Sequence, residues 1–419
     1  MTDPLPFLRA LFDRAVAVAD PMQSLAACLP ARPEGRLVVV GAGKASARMA
    51  EAVEAVYGPC EGLVITRYGH ARPCRGIEIV EAAHPVPDQA GLRATARMLD
   101  LLRGLDEDDM VLALISGGAS ALLVQPAGDM TLAEKQAVND SLLSSGAPIG
   151  QMNVLRKHLS RVKGGQLAAA AWPARMLALM ISDVPGDDPA MIGSGPTVGE
   201  ASPPAEARRI AQTHGIDLPA SARAVLEAPT GVIAPDDPRL GRVENVIYAA
   251  PGQSLDAAAE LARAQGVTVQ ILGEAIEGEA REIAQHHAQL ARAAQARLAP
   301  GAAPLLLLSG GELTVTRRGD GVGGPNAEYA LALALAFDGA PGIHAIACDT
   351  DGVDGAAEVA GATIDPETLR RASACGVDAA QALDRNDAHT VFAALGDQVI
   401  TGPTLTNVND FRAILVAPC

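Results

Sequence analysis

The sequence predicts an α/β protein with largely parallel sheets, divided into two domains. Three observations carry that expectation. Short apolar runs alternate with longer helical patterns, which is the rhythm of β–α–β units. The chain has 419 residues, more than a single hydrophobic core usually serves. Hydrophobic residues make up 49% and charged residues 20%, enough apolar side chains for a large interior.

Taken in order, the elements begin with MTDPLPFLRALFDRAVAVAD. Asp3 comes early and charges recur, so this stretch reads as an amphipathic helix and not as a signal peptide. Strand candidates follow at 36–40, 61–66, 77–81, 110–115 and 176–182, with helices at 88–103, 131–145 and 203–214. The segment 227–245, EAPTGVIAPDDPRLGRVEN, is rich in Pro, Gly and Asp and lacks helical periodicity, so it is expected to link the domains. A second series of strands is expected at 243–249, 267–272, 304–308, 343–348 and 413–417. Helices at 252–265, 277–297, 326–337 and 378–384 separate them. The expected division is 1–235, a Rossmann-like domain, and 236–419, a second α/β domain whose last segment is free to return to the first.

Composition removes several classes of function. The net charge of −16 opposes nucleic acid or an anionic membrane surface as a partner. Aromatic residues are only 2%, too few for a base-stacking platform. No apolar run approaches the ~18 residues of a membrane span. Six cysteines show neither a CxxC nor a metal-ligand spacing, which reads as reduced thiols in the cytoplasm.

Six stretches carry candidate chemistry, each at a strand end, where ligands bind in open α/β sheets. In LVVVGAGKAS an apolar run enters Gly41, Gly43 and Lys44 and then a helical pattern, a setting for an anion on backbone amides. It is not a Walker A loop, because Val38 and Ala45 stand where Gly and Ser/Thr are required. Nor is it a dinucleotide fingerprint, because Ser46 occupies the third glycine position. In LISGGASALL, Ser116, Gly117 and Gly118 offer a second turn, and Leu122 breaks the Gly-x-Ser-x-Gly of a serine hydrolase. NVLRKHLSRVKGG groups Asn153, Arg156, Lys157, His158, Arg161 and Lys163 in an otherwise acidic chain, and arginine is suited to a carboxylate or phosphate. ISDVPGDDPAMIGSGPT delivers Asp183, Asp187 and Asp188, carboxylates suited to Mg²⁺, although Asx-turn capping should explain at least one. Last, SGGELTV supplies Gly310, Gly311 and Glu312, and CDTDGVDG supplies Asp349, Asp351 and Asp354. His84 in HPVPD reads equally as a packed or a catalytic histidine. Glycine turns, one basic cluster and two acidic loops suit phosphoryl transfer, where positioning and charge do most of the work. The same inventory suits a binding protein for phosphorylated metabolites.

Nine segments in one order then carry a family resemblance: VVVGAGKAS, HPVPD, ISGGASALL, NVLRKHLSRVKGGQLA, ISDVPGDDPAMIGSGPT, SGGELTV, GGPNAEYALA, DTDGVDG and GPTLTNVNDF. They resemble the class II glycerate kinases, the glycerate 2-kinase family, some of whose members carry the label hydroxypyruvate reductase. The resemblance implies two α/β/α three-layer domains, the second of MOFRL type, with the active site in the cleft between them. It implies ATP, a divalent metal such as Mg²⁺, and a small-molecule substrate, D-glycerate or a related sugar acid, phosphorylated at the 2-hydroxyl. A homodimer is compatible with it.

Lys44 matches the lysine of this family's first glycine turn, which the resemblance implies is a catalytic or phosphate-contacting group, and the kinase expectation then sets the substrate carboxylate against Arg156 with Asp183 as the catalytic carboxylate. Gly41, Gly43, Ser116, Gly117, Gly118, Gly310, Gly311, Glu312 and Asn326 join Lys44 around the nucleotide, and Asp188 and Asp351 take the metal. One departure stands out. Many members read Gly-Gly-Arg-Asn-Gln-Glu, with the arginine a proposed catalytic group, whereas this chain has Gly323-Gly324-Pro325-Asn326-Ala327-Glu328. Proline brings neither charge nor N–H but suits a first helical turn. Arg317, Arg318 or Arg156 could substitute. Two competing expectations are an NAD(P)H-dependent hydroxypyruvate reductase and a non-catalytic sugar-acid binding protein.

Overall fold

The computed structural model describes residues 3–355 and 357–418. They form two compact units. One runs from Pro21 to Tyr248; the other joins the residues up to Asp20 to those from Ala249 onward.

In the N-terminal unit, six strands form one sheet: β1 (Leu37–Ala42), β2 (Glu61–Arg67), β3 (Ile77–Ala82), β4 (Met110–Ile115), β5 (Arg175–Ile181) and β6 (Val243–Ala249). Their spatial order is β3-β2-β1-β4-β5-β6. The pairs β2–β3, β1–β2, β1–β4 and β4–β5 are parallel. Central strands of such a sheet are covered on both faces and therefore read as unbroken apolar runs. LVVVGA and MVLALI are buried at every position. The chain order reverses direction between β1 and β4, the switch point outside which open α/β sheets bind ligands. A separate helical core forms in the same unit from Val138, Leu142, Leu155, Leu159, Ile210 and Leu226.

The C-terminal unit has its own six-stranded sheet. Its strands are β7 (Thr268–Gly273), β9 (Leu305–Ser309), β11 (Ile343–Asp349), β12 (Gly361–Ile364), β13 (Gln398–Val399) and β14 (Asp410–Val416). Two short strands, β8 (Gly278–Glu279) and β10 (Leu313–Thr314), pair apart from it. The order is β13-β12-β11-β14-β9-β7. Only β7–β9 is parallel here; β9–β14, β14–β11, β11–β12 and β12–β13 are antiparallel. Both units have helices on both sides of the sheet, so the three-layer class holds, with the parallel expectation met by the first sheet and the second mixed. Alternating residues reach opposite faces. Ala345, Ala347, Ile414 and Val416 enter one core, while Ile346, Cys348, Ala413 and Leu415 enter the other. With so few aromatic residues, close packing rests on small side chains. Ala280, Ala284, Ala288 and Ala291 of one helix meet Ala327, Ala330 and Ala334 of the next within the first of these cores.

Two features differ from the expected division. Helix Pro4–Ala19 packs Phe7, Leu8, Leu11 and Phe12 into the C-terminal unit, with the Phe12 and Phe411 rings 5.9 Å apart. The segment 227–245 is no linker. Ile233 N–H donates to Gly164 O at 2.9 Å and Ile233 O accepts from Glu200 N–H at 2.7 Å, so its irregular backbone is satisfied within the N-terminal unit. The division falls after Tyr248 instead of at 235, and the last strand, β14, lies inside the second sheet.

Phe12 is fully buried, so Phe12→Ala should destabilise the C-terminal unit by about 3–5 kcal/mol. Urea unfolding followed by circular dichroism would register that loss as a lower midpoint.

Candidate active site

Two turns meet at the switch point. Lys44 N–H donates to Gly117 O at 2.8 Å, Ala45 N–H to Ser116 Oγ at 3.1 Å, and Ser46 Oγ to Leu114 O at 2.9 Å. The approach is so close that a Cβ on Gly43 would lie 2.0 Å from Ser116 Oγ, and one on Gly41 would lie 2.3 Å from Leu114 O. Both glycines are therefore needed for packing. Gly43 N–H donates to Ile65 O and Ser46 N–H to Gly43 O, so the first amides of the β1 turn are committed within the fold. The expectation that this turn presents open amides is corrected: the carbonyls of Ile65, Gly117 and Gly43 and the Ser116 hydroxyl occupy them.

The β4 turn is different. The amides of Gly117 and Gly118 make no hydrogen bond within the described residues. Gly118 is left-handed, with φ of 83°. Adjacent unsatisfied amides in such a turn form an anion-binding concavity. The Lys44 side chain and the His84 ring border it; a Cβ on Gly118 would lie 3.4 Å from Lys44 Cγ and 3.0 Å from His84 Nε2.

From that turn a polar relay leads to the basic helix Ile149–His158. Ser120 Oγ lies 2.8 Å from Ser194 Oγ, Ser194 Oγ donates to Asn153 Oδ1 at 3.0 Å, and Arg156 Nη1 donates to the same oxygen at 3.3 Å. The other cations of the segment point elsewhere. Lys157 pairs with Glu200 at 2.8 Å, His158 bonds Thr230 and Ser202, and exposed Arg161 bonds Gly128 O. Arg156 is joined instead by two buried lysines. Lys163, 1% exposed, donates from Nζ to Ser120 O at 2.8 Å and Leu123 O at 2.9 Å. Lys135, 3% exposed, donates to Leu159 O at 3.4 Å. Among the described residues no carboxylate pairs with any of the three. Burial, reinforced by the Arg156 charge, pushes Lys135 down to about 7. Burial, then Lys135 and Arg156, holds Lys163 well below the ordinary lysine range. Lys135 was missed in the sequence. Its signal is a lysine in step with Leu132, Val138 and Leu142 on the buried face of helix Leu132–Ser144.

The acidic loop after β5 also sorts itself. Asp183 is half-buried at the strand end. Exposed Asp188 accepts Ala190 N–H at 2.9 Å, an Asx turn. Asp187 has φ of 52° and a buried Oδ1 without a hydrogen-bond partner. A left-handed non-glycine residue with an orphaned carboxylate oxygen fits a cation better than Asp188 does. Among the described residues no three His, Cys, Asp or Glu side chains gather round one metal-sized point. Mg²⁺ requires no such cage, because water and phosphate complete its shell.

In the C-terminal unit, Gly310 N–H is used by Gly273 O, whereas Gly311 N–H makes no hydrogen bond within the described residues. Glu312 is exposed beside it. Asn326 lies inside the fold and not at a ligand surface. Its Nδ2 donates to Asp410 Oδ1 at 2.7 Å, and Asp410 accepts from Arg412 Nη1 at 2.8 Å. Burial raises the Asp410 carboxyl against the pull of Arg412. Pro325 is the first residue of helix Pro325–Phe337, whose amides at Asn326 and Ala327 donate to the Asp354 carboxylate at 2.9 and 2.8 Å. Arg317 folds onto Gly319 O and Gly321 O, and the buried Asp351 accepts Val353 N–H at 2.8 Å.

A two-unit α/β protein with an unbonded glycine turn at the switch point of its first sheet is the class these features define. Residues 7–227 match a family described as a domain of unknown function (DUF4147), and residues 305–410 match the MOFRL family. A protein of Agrobacterium vitis named "Putative hydroxypyruvate reductase" is 52% identical, covering 98% of this chain and 94% of that one. The D-glycerate 2-kinase of Thermotoga maritima is 37% identical over 95% of this chain and 94% of its own. A crystal structure of glycerate kinase from Thermotoga maritima superposes with a TM-score of 0.88 at 35% identity, covering 98% of this chain and 99% of that one. The chain belongs to the glycerate 2-kinase family.

Keeping Lys135 neutral in the fold costs stability at every pH below its ordinary range. Lys135→Met should therefore raise the Tm of the ligand-free protein at pH 7. The unfolded chain binds a proton that the folded chain binds poorly, so the gap should narrow from pH 7 toward pH 10. Thermal scans of both proteins across that range would measure it.

Proposed function

We propose that this protein transfers the γ-phosphoryl group of ATP to the 2-hydroxyl of D-glycerate. The observation that supports this best is the uncompensated cluster of Arg156, Lys135 and Lys163, joined by the Ser120–Ser194–Asn153 relay to the Gly117–Gly118 turn. In this reading Arg156 takes the substrate carboxylate as a fork. Lys44 and the Gly117 and Gly118 amides stabilise charge on the transferring group, with donors already in place. The Gly310–Gly311 turn and Glu312 serve the nucleotide. Asp183 orients the attacking hydroxyl. Mg²⁺ bound to the nucleotide phosphates would be held by Asp187, with Asp188 as the other carboxylate of that acidic loop. When bound, the metal supplies charge neutralisation on the phosphates. The five free thiols of the described residues accord with a cytoplasmic setting.

A reductase would rest a dinucleotide on the β1 turn, whose first amides are committed internally. The carboxyl end of β2 reads Ile65-Thr66-Arg67 and brings no acid for a ribose.

The test is a pair of incubations: D-glycerate with ATP and Mg²⁺, read by phosphorus NMR, and hydroxypyruvate with NADH or NADPH, read by absorbance. A 2-phosphoglycerate signal is expected. Oxidation of the nicotinamide with no phosphoryl product would overturn the kinase reading. Lys44→Ala should lower kcat/KM on the order of 10²-fold; a rate within a few-fold of wild type would remove Lys44 from the mechanism.

A further inference from the structure

Lys135 and Lys163 lie beneath Arg156 and cannot reach a ligand, since both are buried and bonded only to backbone carbonyls. Buried cations of this kind are ordinarily paired with a carboxylate. Here the surrounding charges are committed to other partners. Lys157 goes to Glu200, Glu134 to Thr131 and Ser221, and His158 to Thr230 and Ser202. Arg208 and Arg223, on the helices of the same core, bond the carbonyls of Leu226 and Leu218. Among the described residues Arg156 is the other charge acting on the pair, and it adds to the positive charge. The cluster has no counter-ion among the described residues.

We propose that Lys135 and Lys163 are positioning residues that select the substrate by charge: a 2-hydroxy carboxylate docked on Arg156 supplies the missing anion and draws protons from solvent onto the lysine pair. This rests on the kinase reading for the identity of the acid, and on the cluster alone for the proton uptake. Each step is simple protonation, a neutral amine taking H⁺ from buffer to become an ammonium. At pH 8 a group that titrates at about 7 is roughly nine-tenths neutral. An anion nearby restores its charge. Neutral polyols of similar shape gain nothing from this and should be rejected.

The experiment is isothermal titration of the full chain with D-glycerate at pH 8 and pH 6, in buffers of different ionisation enthalpy. Wild type should take up about one proton or more at pH 8 and fewer at pH 6. Its KM for D-glycerate should rise with pH above 7 by up to about tenfold per unit. Lys135→Met should raise that KM on the order of 10-fold, reduce the uptake, and leave the KM for ATP within two-fold. Lys135→Arg keeps a permanent charge, so it should restore affinity while flattening the pH profile, which a merely structural lysine would not do.

Phosphoryl transfer to D-glycerate without proton uptake would overturn this inference and leave the kinase reading standing. Absence of both binding and turnover would remove the kinase reading. Sulfate, which carries no titratable proton in this range, then serves as the probe. Uptake on sulfate binding at pH 8 would sustain the role of the pair, and no uptake would end it.

Discussion

The contact between the β1 and β4 turns is the constraint on which the N-terminal unit depends. Two strands adjacent at the centre of a parallel sheet send their chains to opposite sides, and a crevice opens between them. Here the crevice is stitched shut at its base by Ser116, whose Oγ accepts Ala45 N–H and meets Ser46 Oγ at 3.1 Å. Gly43 exists to let that hydroxyl pass. The stitching uses up the first turn's amides, while those of Gly117 and Gly118 make no hydrogen bond within the described residues. One serine thus decides which of two similar glycine turns is structural and which can meet an anion.

Charge is concentrated with equal economy. A protein with net charge −16 keeps three basic side chains together, and among the described residues no carboxylate pairs with them. Such an arrangement weakens the ligand-free fold, because each buried ammonium loses hydration. Activity and stability therefore pull in opposite directions at this cluster, as they often do where a site must hold strain or unbalanced charge. In the C-terminal unit the opposite solution is used. Glu328, fully buried, is matched by Arg281 at 2.6 Å and by Asn386 at 2.9 Å, and Asp410 by Arg412 and Asn326. There, buried charge is satisfied and serves architecture.

Much of the fold was legible because burial on both faces writes itself into composition. LVVVGA and MVLALI are continuous apolar runs, and they form central strands. Strand direction is not written that way. The runs at 304–308, 343–348 and 413–417 look like those of the first unit, yet they pair antiparallel. The Pro- and Gly-rich stretch around Ile233 resembled a linker because its hydrogen bonds run to Gly164 and Glu200, partners distant in sequence. At the candidate site, Lys44, Gly117, Gly118 and Arg156 were singled out by their setting at strand ends and in a basic run. Lys135 was not, because a lone lysine on an apolar helical face is unremarkable until the fold sets it beside Arg156 and Lys163. Asp187 and Asp188 could not be told apart, since only backbone geometry shows which one closes an Asx turn.

Helix Pro4–Ala19 shares a core with β14, so segments from either side of residues 21–248 belong to one unit and the other is inserted between them. On the ribosome the inserted unit emerges whole and can fold first, while the leading helix waits with Phe7, Leu8, Leu11 and Phe12 uncovered until Phe411 has been synthesised. Biosynthesis therefore includes an interval in which an apolar helix must be shielded, and chaperone demand should fall there. The same connectivity makes the molecule a natural subject for circular permutation. A break between Asp20 and Pro21, with helix Pro4–Ala19 relinked after β14, would turn a discontinuous unit into a contiguous one and remove that interval.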